Sequence, residues 1–324
     1  MKRAALFLTA ALLTFAARGL RADGPADAPR AAAPDSPNSS DATAESKPAE
    51  NAFDAHLAPS TEASGPGSGS QDGFFPSWLK RVARTQAEQP HWITPVVTVT
   101  PRLEQEFRYD ISQQTQANGT TILRNFGGSK GLEIIPTEHA ELIFSPPPFI
   151  TRSFNGVPDG YGDVSFLLKY RFLSANEEGG NYIFTAFLGG SIPTGSHTNG
   201  ARDATVTPTL AAGKGWGNFD VTTTFGAVLP VSETNLIGRQ VVWNTAFQYR
   251  VIRKIWPEVE VNSTFFSDGP NDGKKQTFLT PGLVLGKFPI WHRLGFTIGG
   301  GVQTAVTKFH TFNHKWILTA RFPF

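Results

Sequence analysis

The feature that most constrains the fold is an alternation of charged and apolar residues with a period of two. In the segment 102–111, Arg102, Glu104, Glu106, Arg108 and Asp110 alternate with residues that are mostly apolar. Successive side chains of a β-strand point to opposite faces, so this segment predicts a strand with one charged face and one apolar face. Such a strand must separate two environments, either oil from water or a core from solvent.

The same pattern recurs often enough along the chain to close a barrel. It is clear in 163–172 and 240–251, and further strands are predicted at 121–135, 140–145, 181–193, 203–214, 217–229, 257–267, 275–287, 292–304 and 313–324. With 102–111 these make twelve strands, most of them near the roughly ten residues that a tilted membrane-spanning strand needs. The sequence therefore predicts an all-β fold, an antiparallel up-and-down transmembrane β-barrel of about twelve strands, with ten or fourteen as the alternatives.

The connections between the predicted strands alternate in length. Those after even-numbered strands are compact, such as 215–216 and 288–291, whereas those after odd-numbered strands tend to be longer and more polar, such as 146–162 and 230–239. Outer-membrane barrels of bacteria have short periplasmic turns and longer extracellular loops. The pattern therefore predicts that both termini lie in the periplasm. An aromatic girdle is expected at the compact ends, formed by Trp216, Trp256 and Trp291, with Trp316 at the opposite rim.

The N-terminal region predicts export. Two basic residues precede an apolar stretch that is too short for a membrane-spanning helix, so residues 1–22 are predicted to be a cleaved signal peptide. Residues 23–73 are rich in Pro, Ala and Ser and have almost no large apolar residue, which predicts a disordered spacer. The chain contains no cysteine, so disulfides and zinc–thiolate sites are excluded.

Residues 74–100 are predicted to form a short amphipathic helix and a lead-in to the barrel, which spans 101–324. Phe74, Trp78 and Val82 recur at helical spacing, and basic residues lie largely on the other side. The preferred interpretation places this helix at the membrane surface or against the base of the barrel. The alternative interpretation is a plug inside the lumen.

The charged and polar face of the predicted strands is the candidate functional site. It should point inward, because Arg or Lys facing lipid near the bilayer centre would cost about 2–4 kcal/mol. The candidate lumen-lining residues are Arg102, Glu104, Glu106, Arg108, Asp110, Asp163, Lys169, Arg171, Gln240, Asn244, Gln248, Arg250, Glu258, Glu260, Lys315 and Arg321. They could line a water-filled pore and select solutes by charge, or they could pair across neighbouring strands as structural ion pairs.

The sequence has no recognisable catalytic motif. It contains no G-x-S-x-G, and none of its seven histidines lies in a nucleophile motif. His310 and His314 have the i, i+4 spacing of helical zinc ligands, but they straddle a loop and a strand start. We therefore expect no enzymatic activity, no metal and no cofactor. The net charge of +2 gives no reason to expect a nucleic-acid partner.

Several short motifs follow one another between residues 101 and 324. They are Gly160–Asp163 with Lys169–Arg171, Ser191–Gly195, Pro257–Glu260 and Arg321–Phe324. In this order they resemble the outer-membrane β-barrels known as the MetA-pathway of phenol degradation, or transporter, family. The resemblance implies an outer-membrane channel for the passive passage of small solutes, including aromatic or hydrophobic compounds. The final Phe324 also resembles the signal that such proteins present to the barrel assembly machinery.

The sequence thus predicts a passive channel in the outer membrane of a Gram-negative bacterium, with membrane lipid, the assembly machinery and a small-molecule solute as partners. One alternative is a closed structural or interaction barrel of the same membrane that transports nothing. The other is a soluble exported β-sandwich, which would turn its charged faces to water.

Overall fold

Residues 73–128, 130–153 and 156–324 are described by the computed structural model of the chain. The predicted signal peptide, 1–22, and nearly all of the predicted spacer, 23–73, lie outside these residues. Within the described part, no helix is long and apolar enough to cross a membrane.

Among the described residues, one helix precedes the sheet and two short helical turns lie in its loops. The helix α1 spans Phe74–Ala87, the short helix α2 spans Thr234–Ile237, and a 3-10 turn spans Gly269–Asn271. The strands are β1 (Glu106–Gln116), β2 (Ile122–Phe126), β3 (Gly131–Thr137), β4 (Ala140–Ser145), β5 (Phe149–Arg152), β6 (Gly160–Tyr161), β7 (Val164–Ala175), β8 (Tyr182–Ile192), β9 (Thr205–Trp216), β10 (Phe219–Pro230), β11 (Arg239–Tyr249), β12 (Ile255–Ser267), β13 (Lys275–Trp291), β14 (Leu294–Ala305) and β15 (Phe312–Pro323).

These segments form one antiparallel sheet that closes on itself, because β1 pairs with β15 from Glu106–Pro323 to Gln116–Phe312. Three strands of the wall consist of two segments each: β2 with β3, β5 with β4, and β6 with β7. The fifteen segments therefore make twelve wall strands. The predicted all-β barrel of twelve antiparallel strands is confirmed.

The three divided strands lie side by side, and prolines and glycines interrupt them. Pro146, Pro147 and Pro148 separate β4 from β5, because proline has no N–H to donate to a neighbouring strand. Beside them, Gly128 lies between β2 and β3 with φ of 76°. A Cβ atom at Gly128 would lie 2.9 Å from the Pro148 ring, so the close approach of the two segments requires glycine there.

Side chains along the wall alternate between an apolar outside and a charged inside. On β7, Phe166, Leu168 and Phe172 are 40–50% exposed, whereas Lys169 and Arg171 between them are buried. This distribution is the inverse of that in a soluble protein, in which Lys and Arg are almost never fully buried.

The two ends of the barrel differ. The end where β1 begins and β15 ends also carries five connections of two to six residues, and we call it the compact end. The other end, the loop end, carries six connections of five to twelve residues. The helix α1 lies at the compact end, where Trp78 Nε1 donates a hydrogen bond of 2.8 Å to Ile135 O and Val82 packs with Leu103 and Ile135.

Two sequence predictions about the wall are wrong in detail. The strand β1 begins at Glu106, four residues later than predicted, because residues 102–105 leave the wall and lie inside the barrel. Trp256 does not join an outer girdle. It is buried on the inward face of β12, two residues before Glu258, and packs on interior residues. Trp216 and Trp291 are exposed at the compact end, as the girdle requires.

Candidate functional site

The interior of the barrel holds residues 89–105, which we call the lumen segment. Most of its residues are buried, yet it forms neither helix nor strand. Buried main-chain N–H and C=O groups need hydrogen-bond partners. Inward-facing side chains of the wall supply many of these partners, so the lumen segment and the wall must be considered together. The helix α1 lies on the base of the barrel, as the preferred sequence interpretation has it, and does not plug the lumen. The lumen is entered by the segment after the helix, which no sequence pattern predicted.

Two arginines on adjacent strands bind carbonyl groups of the lumen segment. Arg321 on β15 donates to Thr94 O and, over 2.8 Å, to Pro95 O. Arg108 on β1 donates to Val96 O over 2.6 Å. Both guanidinium groups are buried, and Arg108 also donates to Asp110.

Two glutamates on β12 bind N–H groups of the same stretch. Val96 N donates to Glu258 Oε1 over 2.9 Å. Val97 N and Thr98 N donate to the two carboxylate oxygens of Glu260 over 2.7 and 2.5 Å. We call Arg108, Glu258, Glu260 and Arg321 the main-chain clamp, because every hydrogen bond described between them and residues 94–98 goes to the main chain.

A second group of wall residues binds the end of the lumen segment before β1. Thr185 donates to Pro101 O over 2.7 Å, and Lys169 Nζ donates to Arg102 O over 3.1 Å. Glu104 N donates to Glu141 Oε2 over 2.6 Å. Lys169 and Glu141 also form a buried ion pair of 3.0 Å. These contacts direct the chain from the lumen to the start of β1.

Apolar packing holds the beginning of the lumen segment. Trp92, Ile93 and Val96 form a buried cluster with Ile183, Trp256 and Val284 of the wall. The Trp92 ring lies so close to β9 that a Cβ atom at Gly213 would be 2.5 Å from it. The glycine at this inward position therefore makes room for an aromatic ring in the lumen.

A polar contact attaches the lumen segment to the turn between β7 and β8. His91 N donates to Glu177 Oε1 over 2.8 Å, and His91 Nδ1 lies 2.7 Å from Glu177 Oε2. Burial by itself raises the pKa of the Glu177 carboxyl, but the hydrogen bonds from the His91 ring and main chain outweigh it and lower this pKa to about 2. The carboxylate is therefore charged under all physiological conditions.

The predicted lumen-lining residues fall into three groups. Glu106, Arg108, Asp110, Lys169, Arg171, Gln248, Glu258, Glu260 and Arg321 are buried on the inward faces of wall strands. Arg102 and Glu104 are buried as well, but they belong to the lumen segment, where they lie 3.4 Å apart as an ion pair. Asp163, Gln240, Asn244, Arg250 and Lys315 are only partly buried.

Three of the partly buried residues make contacts that explain their positions. Asp163, at the loop end, accepts hydrogen bonds from Gly195 N and Ala201 N and so holds the β8–β9 loop. Arg250 donates to Asn218 at the compact end and lies over the Trp256 ring. Asn262 donates a hydrogen bond to Asn244 and accepts hydrogen bonds from Thr280 and Gln303. A row of neutral amides and hydroxyls thus crosses strands β11 to β14.

Sequence reasoning missed Glu133, Glu141 and Asp220, which are buried on inward faces. The sequence signal that could have found them is the two-residue period of these strands. Each of the three acids stands at an inward position of a strand whose residues alternate between buried and exposed. Single acids between apolar or hydroxyl residues were less conspicuous than the charged run at 102–110. Glu133 lies directly opposite Glu106 on the neighbouring strand.

Nothing in the described ranges forms a metal-binding group of three or more His, Cys, Asp or Glu residues. The two histidines with zinc-like spacing contact different partners. His310 Nε2 lies 2.9 Å from Asn313 Oδ1, and His314 Nε2 lies 3.1 Å from Thr115 Oγ1. The charged and polar side chains of the interior can therefore bind a ligand through hydrogen bonds and ion pairs.

No protein-family model and no curated protein matches the sequence. Similar solved structures include an outer-membrane channel from Pseudomonas putida F1, with 16% identity over 67% of this chain and 93% of that chain and a TM-score of 0.45. They also include the NanC porin, with 7% identity, coverage of 67% and 98%, and a TM-score of 0.45. The β-domain of the Bordetella autotransporter BrkA has 12% identity, coverage of 67% and 97%, and a TM-score of 0.40. Membership of the family that the motifs resemble stays a prediction.

Proposed function

We propose that the chain is a channel of the bacterial outer membrane through which small solutes pass passively, and that the lumen segment narrows its path. The observation that carries this proposal is a closed wall with an apolar outside and a charged inside. A closed barrel satisfies all main-chain groups between strands and can span a bilayer. Exposed Phe166, Leu318 and Trp316 would form an unfavourable surface in water and a favourable one in lipid.

The proposal assigns the two ends of the barrel to the two sides of the membrane. The compact end would face the periplasm, so that both ends of the described chain lie there. Exposed Trp216 and Trp291 would lie in the lipid headgroup region at that end. Residues 1–22 would direct export, and the last strand β15, together with Phe324 directly after it, would be recognised by the barrel assembly machinery.

A closed structural barrel is the second candidate, and the lumen segment favours it. The segment crosses the interior from β9 to β12 and β15, and wall side chains bind it tightly. A barrel filled in this way could serve as a membrane anchor without transporting anything. The two candidates differ in whether solutes pass through the folded protein.

Conductance of the full-length protein in planar lipid bilayers separates the two candidates. The channel proposal expects discrete conductance steps for the wild type and larger steps for Trp92→Ala, which removes a ring from the lumen. A closed barrel expects silent bilayers for both proteins. Heat-modifiable migration on gels must first show that each protein is folded, so that a silent bilayer reports a closed lumen. Silence of both folded proteins would overturn the channel proposal.

The class of solute is a separate part of the proposal. The motifs that resemble the phenol-degradation family suggest aromatic compounds, and swelling of protein-containing liposomes in phenol and in a sugar of similar size tests this. Faster swelling in phenol than in the sugar, corrected for protein-free liposomes, would support aromatic substrates. Equal corrected rates would contradict them.

A further inference from the structure

We propose that the main-chain clamp is a binding site for extended peptides, and that the lumen segment is a peptide ligand supplied by the chain itself. The inference names a solute class for the proposed channel that differs from the aromatic compounds suggested by the motif resemblance: short peptides with apolar side chains. The inference rests on the proposed function in one respect, because such peptides must be able to enter the lumen from one side of the membrane.

The clamp binds the main chain of residues 94–98 from two sides. The two arginines, Arg108 and Arg321, bind three successive carbonyl groups, and the two glutamates, Glu258 and Glu260, bind three successive N–H groups. The arginines lie on adjacent strands β1 and β15, whereas both glutamates lie on β12, which is separated from β15 by β13 and β14. The peptide is therefore held between cationic donors and anionic acceptors.

This arrangement recognises the main chain of a bound peptide and makes no hydrogen bond that depends on the identity of the peptide's side chains. Any peptide of ordinary residues in the same conformation offers the same carbonyl and N–H groups, as in recognition by strand addition. Here the charged side chains of the wall take the place of a neighbouring strand. Charge-assisted hydrogen bonds of this kind are stronger than those between neutral groups.

Other solute classes match the clamp less well. Its four side chains are at most 5% exposed, and buried charges without partners are costly. A phenol or hydrocarbon would replace none of the main-chain partners of Arg321 and Glu260, whereas Arg108 would keep its ion pair with Asp110 and Glu258 its hydrogen bond from Gln248. An ion of either sign would meet two like charges. A peptide main chain supplies acceptors for the arginines and donors for the glutamates at the same time.

The surroundings of the clamp determine which side chains fit beside it. Ile183, Trp256 and Val284 of the wall pack against Trp92, Ile93 and Val96 of the lumen segment. The clamp therefore lies next to an apolar surface that accommodates aromatic and branched side chains. Peptides with such residues three and four positions before the first clamped N–H group, as Ile93 and Trp92 stand before Val96, should bind best.

The test begins with a full-length protein in which the clamp holds its own segment less firmly. Val97→Pro removes one N–H that Glu260 binds, and the matched control Val97→Ala keeps that N–H but shortens the side chain. An acetylated and amidated peptide of residues 89–105 is then added to the folded Val97→Pro protein. We expect saturable binding, seen as a rise in the thermal midpoint and as block of the conductance of the variant.

Peptides methylated on single main-chain nitrogens show whether the clamp recognises the main chain. Methylation at Thr98 removes a hydrogen bond to Glu260 and should weaken binding about 10- to 100-fold. Methylation at Val99, whose nitrogen the clamp does not bind, is the matched control and should weaken it much less. Equal weakening by the two methyl groups, or no saturable binding of the unmodified peptide, would overturn the inference.

Two readouts distinguish this inference from the proposed function. A rise in the thermal midpoint with peptide, in a protein that never conducts, would support the peptide site and contradict the channel. Conductance that no peptide alters, with no change in the midpoint, would support the channel and overturn the peptide site. Should Val97→Pro not fold, Trp92→Ala provides a loosened full-length protein with an unchanged clamp for the same titrations.

Discussion

At the scale of single residues, several buried charges in this barrel have main-chain groups as their hydrogen-bond partners. Glu260 is fully buried, and both of its oxygens accept hydrogen bonds from the lumen segment. The alternation of β12 predicts that Glu258 and Glu260 face inward, and they do. It cannot predict their partners, because the N–H groups belong to residues more than 160 positions earlier in a segment without periodic structure.

Replacing Glu260 tests the strength of these contacts. In Glu260→Gln one of the two acceptors becomes an NH2 group that faces an N–H, so we expect a loss of about 2–4 kcal/mol in the free energy of unfolding. Urea titrations followed by tryptophan fluorescence in lipid vesicles measure it. The control is Glu233→Gln, at an exposed loop position near Arg202, which should change stability by less than about 1 kcal/mol. If the two substitutions changed the free energy of unfolding equally, the buried contacts of Glu260 would add nothing to stability beyond those of an exposed glutamate.

Gly213 makes room for Trp92, and a double-mutant cycle tests this. Gly213→Ala places a methyl group 2.5 Å from the Trp92 ring and should cost about 1–3 kcal/mol through overpacking. Trp92→Ala should cost about 3–5 kcal/mol through lost burial. Because the severe clash needs both groups, Gly213→Ala should cost much less in the Trp92→Ala background, in which only the 3.3 Å approach to Ile183 Cγ2 remains. Additive costs would mean that the ring and the glycine do not meet.

At the scale of elements, the sequence predicts α1 well and the lumen segment poorly. Apolar residues at helical spacing indicate a helix from residue 74, and α1 begins there. The lumen segment has no period, and its last residues continue the charged alternation of β1. Arg102 and Glu104 stand four and two positions before Glu106 and so fit the same alternation as the inward residues of β1. The alternation alone therefore does not show at which residue the chain enters the wall.

The contact between the lumen segment and the β7–β8 turn should depend on pH. Folding lowers the pKa of the Glu177 carboxyl from its ordinary value of 4.5 to about 2. The charged carboxylate therefore stabilises the fold at pH values above 4.5. This contribution should disappear as the pH falls from about 4.5 to about 2. Urea titrations of the wild type and Glu177→Gln should therefore differ at pH 7 and converge near pH 2. Glu178→Gln, at the exposed neighbouring position, is the control, and a difference that persists at pH 2 would contradict the assignment.

At the scale of the whole molecule, the number of strands and the direction of their faces follow from simple periodicity. Twelve segments of suitable length were enough to predict a closed barrel, and the prolines after Ser145 shortened the predicted third strand at the place where β4 ends. The strand continues as β5 beyond those prolines, which sequence patterns do not reveal, because pairing with β2 and β6 holds so short a segment in the wall.

The membrane assignment makes a prediction that separates it from a soluble β-sandwich. Leu168 lies on the apolar outer face in the middle of β7, and it is 40% exposed. In a bilayer, Leu168→Arg places a charge in the hydrocarbon and should reduce the free energy of folding into lipid vesicles by about 2–4 kcal/mol. Val231→Arg, at an exposed position in the β10–β11 loop, should have little effect. If the outer face were in contact with water, both arginines would be tolerated equally, and folding would need neither vesicles nor detergent.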